Sequence, residues 1–226
     1  DYVVCCDIDE CIYHADIITV LKNLKKELYR LYDALVEKSK EFDHVIKMGR
    51  TQMQDAVPIR LGQEFQAYAN ALKRDHARIE TALNELYVVN LGGTAIGTSV
   101  NVGKEYLHKI AAELSLEFGK KLLQADDLID ATQNVDSFCA VSGILKSFAV
   151  NLSKMCNDLR LMSSGPKTGF GEIVLPAKQN GSSIMPGKIN PVIPEVVTQV
   201  CYAVMGNDVT ITMCAEAGQL ELNAFE

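Results

Sequence analysis

"DSFCAVSGILKSFAVNLSKMCNDLRLM", residues 136–162, decides the fold class. Its apolar side chains fall at Phe138, Val141, Leu145, Phe148, Leu152, Met155, Leu159 and Met162, in steps of three and four. That spacing keeps one face of a 3.6-residue helix apolar and does not fit the two-residue period of a half-buried strand. Asp136 stands where a cap is expected, and the turn residues of "SSGPKTGFG" (163–171) end the run. Ala140, Ala149 and Cys156 lie off the main stripe, which suits a helix buried on more than one side.

The same stepping recurs on both sides of this segment. Ile17, Leu21, Leu24, Leu28, Leu31 and Leu35 alternate with Lys22, Lys25, Lys26, Arg30 and Glu37, which predicts an amphipathic helix. A second long helix is predicted from Leu61 through Phe65, Tyr68, Leu72, Ile79, Leu83 and Leu86, broken by "NLGGTAIGT" (90–98). "KEYLHKIAAELSLEF" (104–118) reads as a shorter helix with Gly119 as its stop. "PVIPEVVTQVCYAVMGNDVTITMCAEAG" (191–218) is read as helix through about 217, although "VTITM" alone has a strand-like composition. The expected fold is all-α, an elongated bundle of about five long helices whose near-heptad spacing favours shallow crossings and oligomerisation through the bundle.

Composition narrows the function classes. The chain has 226 residues, 48% hydrophobic and 23% charged, enough for a sizeable core. A net charge of −7 without basic runs argues against nucleic acid or an anionic membrane surface as the main partner. No apolar run reaches the roughly 18–20 residues of a membrane span, and "DYVVCCDIDE" (1–10) lacks the pattern of a signal peptide, so a soluble, cytoplasmic chain is expected. The seven cysteines are scattered and odd in number, as suits free thiols in a reducing compartment. Cys5, Cys6, Cys11 and His14 cluster in "CCDIDECIYH" (5–14), but their spacing matches no paired zinc-ligand pattern and buried thiols are the expectation; no metal is assigned.

Three segments carry candidate chemistry. "NGSSIMPGKINPVIPE" (180–195) offers Gly181 and Gly187 for unusual backbone angles, Ser182 and Ser183 for anion contact, and Lys188 and Asn190 as a cation and a neutral hydrogen-bonding group. A polar inter-helix loop and an anion-binding loop both account for its glycines, prolines and serines. "KMGRTQMQDAVPIRLGQEF" (47–65) contains Arg50, which suits pairing with a carboxylate such as Asp55, and the polar pair Thr51 and Gln52. "LGGTAIGTSVN" (91–101) matches no phosphate-binding glycine pattern and reads as a tight structural turn.

"GSSIMPGKINP" (181–191) resembles the signature of the aspartase/fumarase superfamily. "GRTQMQDAVPIRLGQEF" (49–65), "LGGTAIGT" (91–98) and "AEAGQLELN" (215–223) look like its aspartate ammonia-lyase branch, and the motifs stand in the family's order. The resemblance implies reversible elimination of ammonia from L-aspartate to give fumarate, without metal or organic cofactor. It also implies a homotetramer in which each active site is built from segments of three subunits. By the same resemblance Ser182 matches the catalytic base, while Thr51, Gln52, Ser183, Lys188 and Asn190 match contacts to the substrate. Gln52 stands where fumarase-like members hold a histidine, which makes a fumarate hydratase or another superfamily lyase the alternative activity.

Two departures qualify the resemblance. Residues 16–226 correspond to the central helical domain, so the family's N-terminal and C-terminal domains are expected to be largely absent. Residues 1–15 form an atypical lead-in: where the family places a serine-rich "SxSxND" stretch, this chain reads "CCDIDECIYHAD" (5–16). Asp9 and Glu10 there would repel substrate carboxylates. A catalytically silent assembly domain is therefore the third reading.

Overall fold

The computed structural model describes residues 3–181 and 183–225, with side chains from residue 11 onward. Six α-helices occur among them: α1 Val3–Glu41, α2 Leu61–Glu85, α3 Lys104–Glu117, α4 Leu128–Gln133, α5 Asp136–Met162 and α6 Val192–Glu216. The fold is all-α as expected, but four helices rather than five reach 25 residues, since α3 has 14. Asp136 is the first residue of α5, inside the helix. The strand-like "VTITM" is helical within α6, where the surrounding pattern overrides local preference. α1 runs without a break through residues 15 and 16, so residues 3–15 of the atypical lead-in belong to the first helix.

Two small sheets accompany the helices. β1 Ile46–Thr51 and β2 Gln54–Arg60 form an antiparallel hairpin, while β3 Val88–Val89 and β4 Leu123–Gln124 pair in parallel. The hairpin lies inside a segment whose apolar pattern predicts neither helix nor strand. Its strands are mostly solvent-exposed, so no buried face imposes a two-residue alternation on the sequence.

Residues 1–27, 76–145 and 207–226 form one compact unit. Its core gathers Ile18 and Leu21 of α1, Ile79 and Leu83 of α2, and Val89, Leu91 and Leu122 from the connecting segments. His14 is buried here, with Nδ1 2.8 Å from the Leu86 carbonyl oxygen and its ring edge-on to Phe138 at 4.7 Å. This agrees with a packing role for His14 and buried Cys11, while Cys5 and Cys6 lie outside the described side chains. The Asp127 side chain caps α4 by accepting from the Ile129 and Asp130 amides. "LGGTAIGT" is a structural turn: Gly97 has φ +79°, and a Cβ there would lie 2.3 Å from the Ile129 Cα.

Residues 28–75 and 146–206 form the second unit, which holds the hairpin and the 181–190 loop. Leu28, Leu35, Phe65, Leu72, Met155 and Cys201 build its core, and Phe42 meets Phe65 edge-on at 5.4 Å. Asp75 is almost fully buried and accepts from the Asn151 amide at 2.9 and 3.0 Å. Along α5, Ser142, Ala149 and Cys156 are buried at seven-residue intervals. Phe138, Leu145, Phe148, Leu152 and Leu159 of the predicted stripe are half-buried, while Val141, Met155 and Met162 are buried. No helix among the described residues is long and apolar enough to cross a membrane.

Candidate functional site

The hairpin places Thr51 at the end of β1 and Gln52 in the turn, both exposed. Thr51 pairs with Gln54, leaving a two-residue loop in which Gln52 and Met53 have φ of +50° and +66°. Two-residue hairpin turns of this hand usually carry Asn or Gly, since a left-handed backbone costs other residues about 1–2 kcal/mol each. The turn thus holds a neutral amide, able both to donate and to accept, out in solvent at a strained position.

Below the tip, the pairing register shifts by one residue between Met48 and Arg50. Gly49 stands alone opposite Ala56 and Val57, so the extra residue belongs to β2, and a Cβ on Gly49 would lie 2.8 Å from the Val57 carbonyl oxygen. Residues three apart on a regular strand face opposite sides. A bulge adds local twist, and Lys47 and Arg50 both reach the same partner, Glu172. Lys47 Nζ lies 2.8 Å from Glu172 Oε2 and 3.0 Å from Glu64 Oε2, while Arg50 Nη1 donates to Glu172 Oε1 at 2.5 Å.

Arg50 also stacks on Phe170, 4.2 Å from the ring centroid, and its Nε lies 3.4 Å from Asp55 Oδ1. The expected Arg50–Asp55 pairing is present, with Glu172 as a closer partner. Burial pushes the Glu172 carboxyl up, but the ion pair with Lys47 and the hydrogen bond from Arg50 outweigh it and hold the group below the usual carboxylate range. These residues border a cavity of ≈ 280 Å³ that is also lined by Tyr68 and Asp158. The Tyr68 hydroxyl donates to Asp158 at 2.9 Å, so the cavity's charged walls are engaged with one another.

The 181–190 loop carries the other predicted contacts. Ser182 lies outside the described residues. Ser183 is exposed, and Lys188 Nζ donates to Asn190 Oδ1 at 2.7 Å. Gly181 and Gly187 have φ of +77° and +81°, and a Cβ on Gly181 would come within 3.0 Å of the Lys188 carbonyl oxygen. The loop therefore folds back so that Gly181 lies against Lys188. Lys188 and Asn190 are brought together; no hydrogen bond among the described residues joins either to Thr51 or Gln52.

Sequence reasoning did not identify Glu172. The available signal is that Glu172 is the only charge in "TGFGEIVLPA" (168–177), while Arg50 and Lys47 need an acid beyond Asp55.

A family model described as lyase matches residues 13–206. The chain belongs to this lyase family. The aspartate ammonia-lyase of Helicobacter pylori (strain ATCC 700392 / 26695) is 55% identical over 206 residues, covering 91% of this chain and 44% of the relative. That of Bacillus subtilis (strain 168) is 50% identical, with coverage of 97% and 46%. The lyase chain thus spans a little under half the length of the curated relatives it matches. Among solved structures, a fumarate lyase:delta crystallin from Brucella melitensis bound to cobalt superposes with a TM-score of 0.93 at 52% identity, covering 97% of this chain and 48% of that one. A class II fumarase from Schistosoma mansoni reaches 0.85 at 37% identity, covering 88% and 45%. The aspartase/fumarase resemblance is borne out, and so is the greater likeness to aspartate ammonia-lyases.

Proposed function

We propose that this lyase chain contributes to the reversible elimination of ammonia from L-aspartate, giving fumarate. The observation that carries the reading is the 50–55% identity to aspartate ammonia-lyases over more than nine-tenths of the chain. Gln52 at the hairpin tip agrees with it, because a glutamine cannot titrate as a histidine would.

In this reading Ser182, as alkoxide, takes the proton from the substrate Cβ. The electron pair left behind is delocalised into the adjacent carboxylate before it forms the Cα–Cβ double bond and ammonia departs from Cα. Lys188 and Asn190 stabilise the carboxylate as its charge grows, with Ser183 as a further contact. Preorganised donors aimed at developing charge are worth about 2.7–4 kcal/mol each. Thr51 and Gln52 bind the second carboxylate or the amine from a neighbouring subunit. A cationic, amide-rich surrounding is also what favours a serine alkoxide.

The same proposal takes residues 16–226 as the central helical domain of a cytoplasmic homotetramer with composite sites. The free thiols among the described cysteines suit a reducing compartment. Ile193, Val196, Val200, Val209 and Met213 of α6 are exposed while Thr198 and Asp208 are buried, which suits a helix whose apolar side meets another copy.

Absorbance of the fumarate double bond tests the activity, with L-aspartate and then L-malate, on the wild-type chain and Ser182→Ala. Signal from aspartate that the substitution abolishes supports the proposal. Turnover of L-malate alone would shift the assignment to a hydratase, and equal silence of both chains would leave an assembly domain.

A further inference from the structure

Glu172 sits where three elements meet. Its backbone N–H donates to the Met162 carbonyl at the end of α5 at 2.8 Å, and Gly171 donates to Ser164 at 2.8 Å. The fold-back is tight enough that a Cβ on Gly169 would lie 2.4 Å from the Ser164 carbonyl oxygen. Its side chain meets Lys47 and Arg50 of β1, and Lys47 is bonded in turn to Glu64 of α2. Past Ile173 the character of the chain changes. Val174 is 95% exposed and Ile184 87%, and the next backbone–backbone bond among the described residues is from Lys188 to Met185.

We propose that Glu172 is a positioning residue: its ion pairs with Lys47 and Arg50 anchor the root of the segment bearing Ser183, Lys188 and Asn190 to the strand bearing Thr51 and Gln52. Arg50 is the immediate neighbour of Thr51, so one carboxylate sets both the strained hairpin tip and the starting point of the loop. Two cations of different reach meet the two carboxylate oxygens, Lys47 at Oε2 and Arg50 at Oε1, and leave the group little rotational freedom. Phe170 closes over the Arg50 guanidinium and restricts it from the other face. The catalytic consequence rests on the lyase reading above; the anchoring does not.

The test is hydrogen–deuterium exchange on the whole chain, comparing wild type with Glu172→Gln. Peptides covering 164–173 and 46–60 should exchange faster by a factor on the order of ten to a hundred, the loss expected for hydrogen bonds to a charged group. A peptide inside α5, such as 145–158, should be unchanged. Arg50→Lys, which keeps the charge but loses the planar fork and the stacking, should move the same peptides less and serves if Glu172→Gln fails to fold. Unchanged exchange at 164–173, or an equal rise within α5, overturns the proposal.

With L-aspartate as substrate, Glu172→Gln should raise KM about tenfold while kcat stays within about threefold, and Glu172→Asp should recover part of the loss. A fall in kcat alone overturns the positioning role. If the wild type releases no ammonia, the lyase reading fails while the exchange result still decides the anchor.

Discussion

Replacing Lys47 with methionine keeps most of the side-chain stem and removes the charge that stands between two acids. Lys47 Nζ lies 3.0 and 3.1 Å from the Glu64 carboxylate oxygens and 2.8 Å from Glu172, and its side chain is only 10% exposed. Hydrogen bonds to charged groups contribute about 1.5–3 kcal/mol each, and breaking a buried pair costs about 3–5 kcal/mol. Both acids keep some contact with solvent and Arg50 remains on Glu172, so the expected loss is about 3 kcal/mol. For a chain of this length that lowers Tm by about 6–12 °C.

The loss should depend on pH in a defined direction. The Glu172 carboxyl is held below its ordinary value of 4.5, so the stability it contributes is present above that value and disappears as pH falls through the depressed one. The gap between wild type and Lys47→Met should therefore be full near about pH 7 and close in acid, where the carboxylates are protonated in both proteins. Thermal melts followed by circular dichroism across that range measure it. A gap of less than about 1 kcal/mol, or one that does not change with pH, would mean that Lys47 acts through its stem and not its charge.

Gly97→Ala should cost more than about 3 kcal/mol in urea denaturation, because left-handed strain adds to a clash with the backbone of α4, whereas Gly119→Ala, at φ +59° with nothing within 4 Å, should cost only about 1 kcal/mol. Tyr68→Phe should lose about 1 kcal/mol with the bond to Asp158; in alkaline difference spectra the missing tyrosine should be a late-ionising one, since burial and then Asp158 raise the phenol. The Cys156 thiol is pushed up to about 11 by burial and by nearby Cys201, so iodoacetamide at about pH 8 should label Cys139 and Cys214 well before it.

The long helices were legible because each repeats an apolar step many times: Phe65, Leu72, Ile79 and Leu86 are predicted from spacing alone and are buried. The hairpin was not, because its strands are mostly exposed and its turn is Gln52–Met53 in place of a glycine-containing pair. At the candidate site, residue types could be read within short segments, as with Arg50 and Asp55 or Lys188 and Asn190. The partner 122 residues away could not, because no local pattern encodes the meeting of Arg50 with Glu172. The half-buried large residues of α5 show a related limit: spacing identifies an apolar face but not how much of it one chain covers.

The bulge opposite Gly49 makes this part of the chain sensitive to counting as well as to chemistry. Deleting Ala56 or Val57 would keep every charged group, yet it would take out the extra residue of β2 and the added twist that a bulge gives the hairpin. A comparison that scores only substitutions would rate that deletion as mild. Any transplant of the hairpin into another protein must therefore carry the odd residue along with the charges.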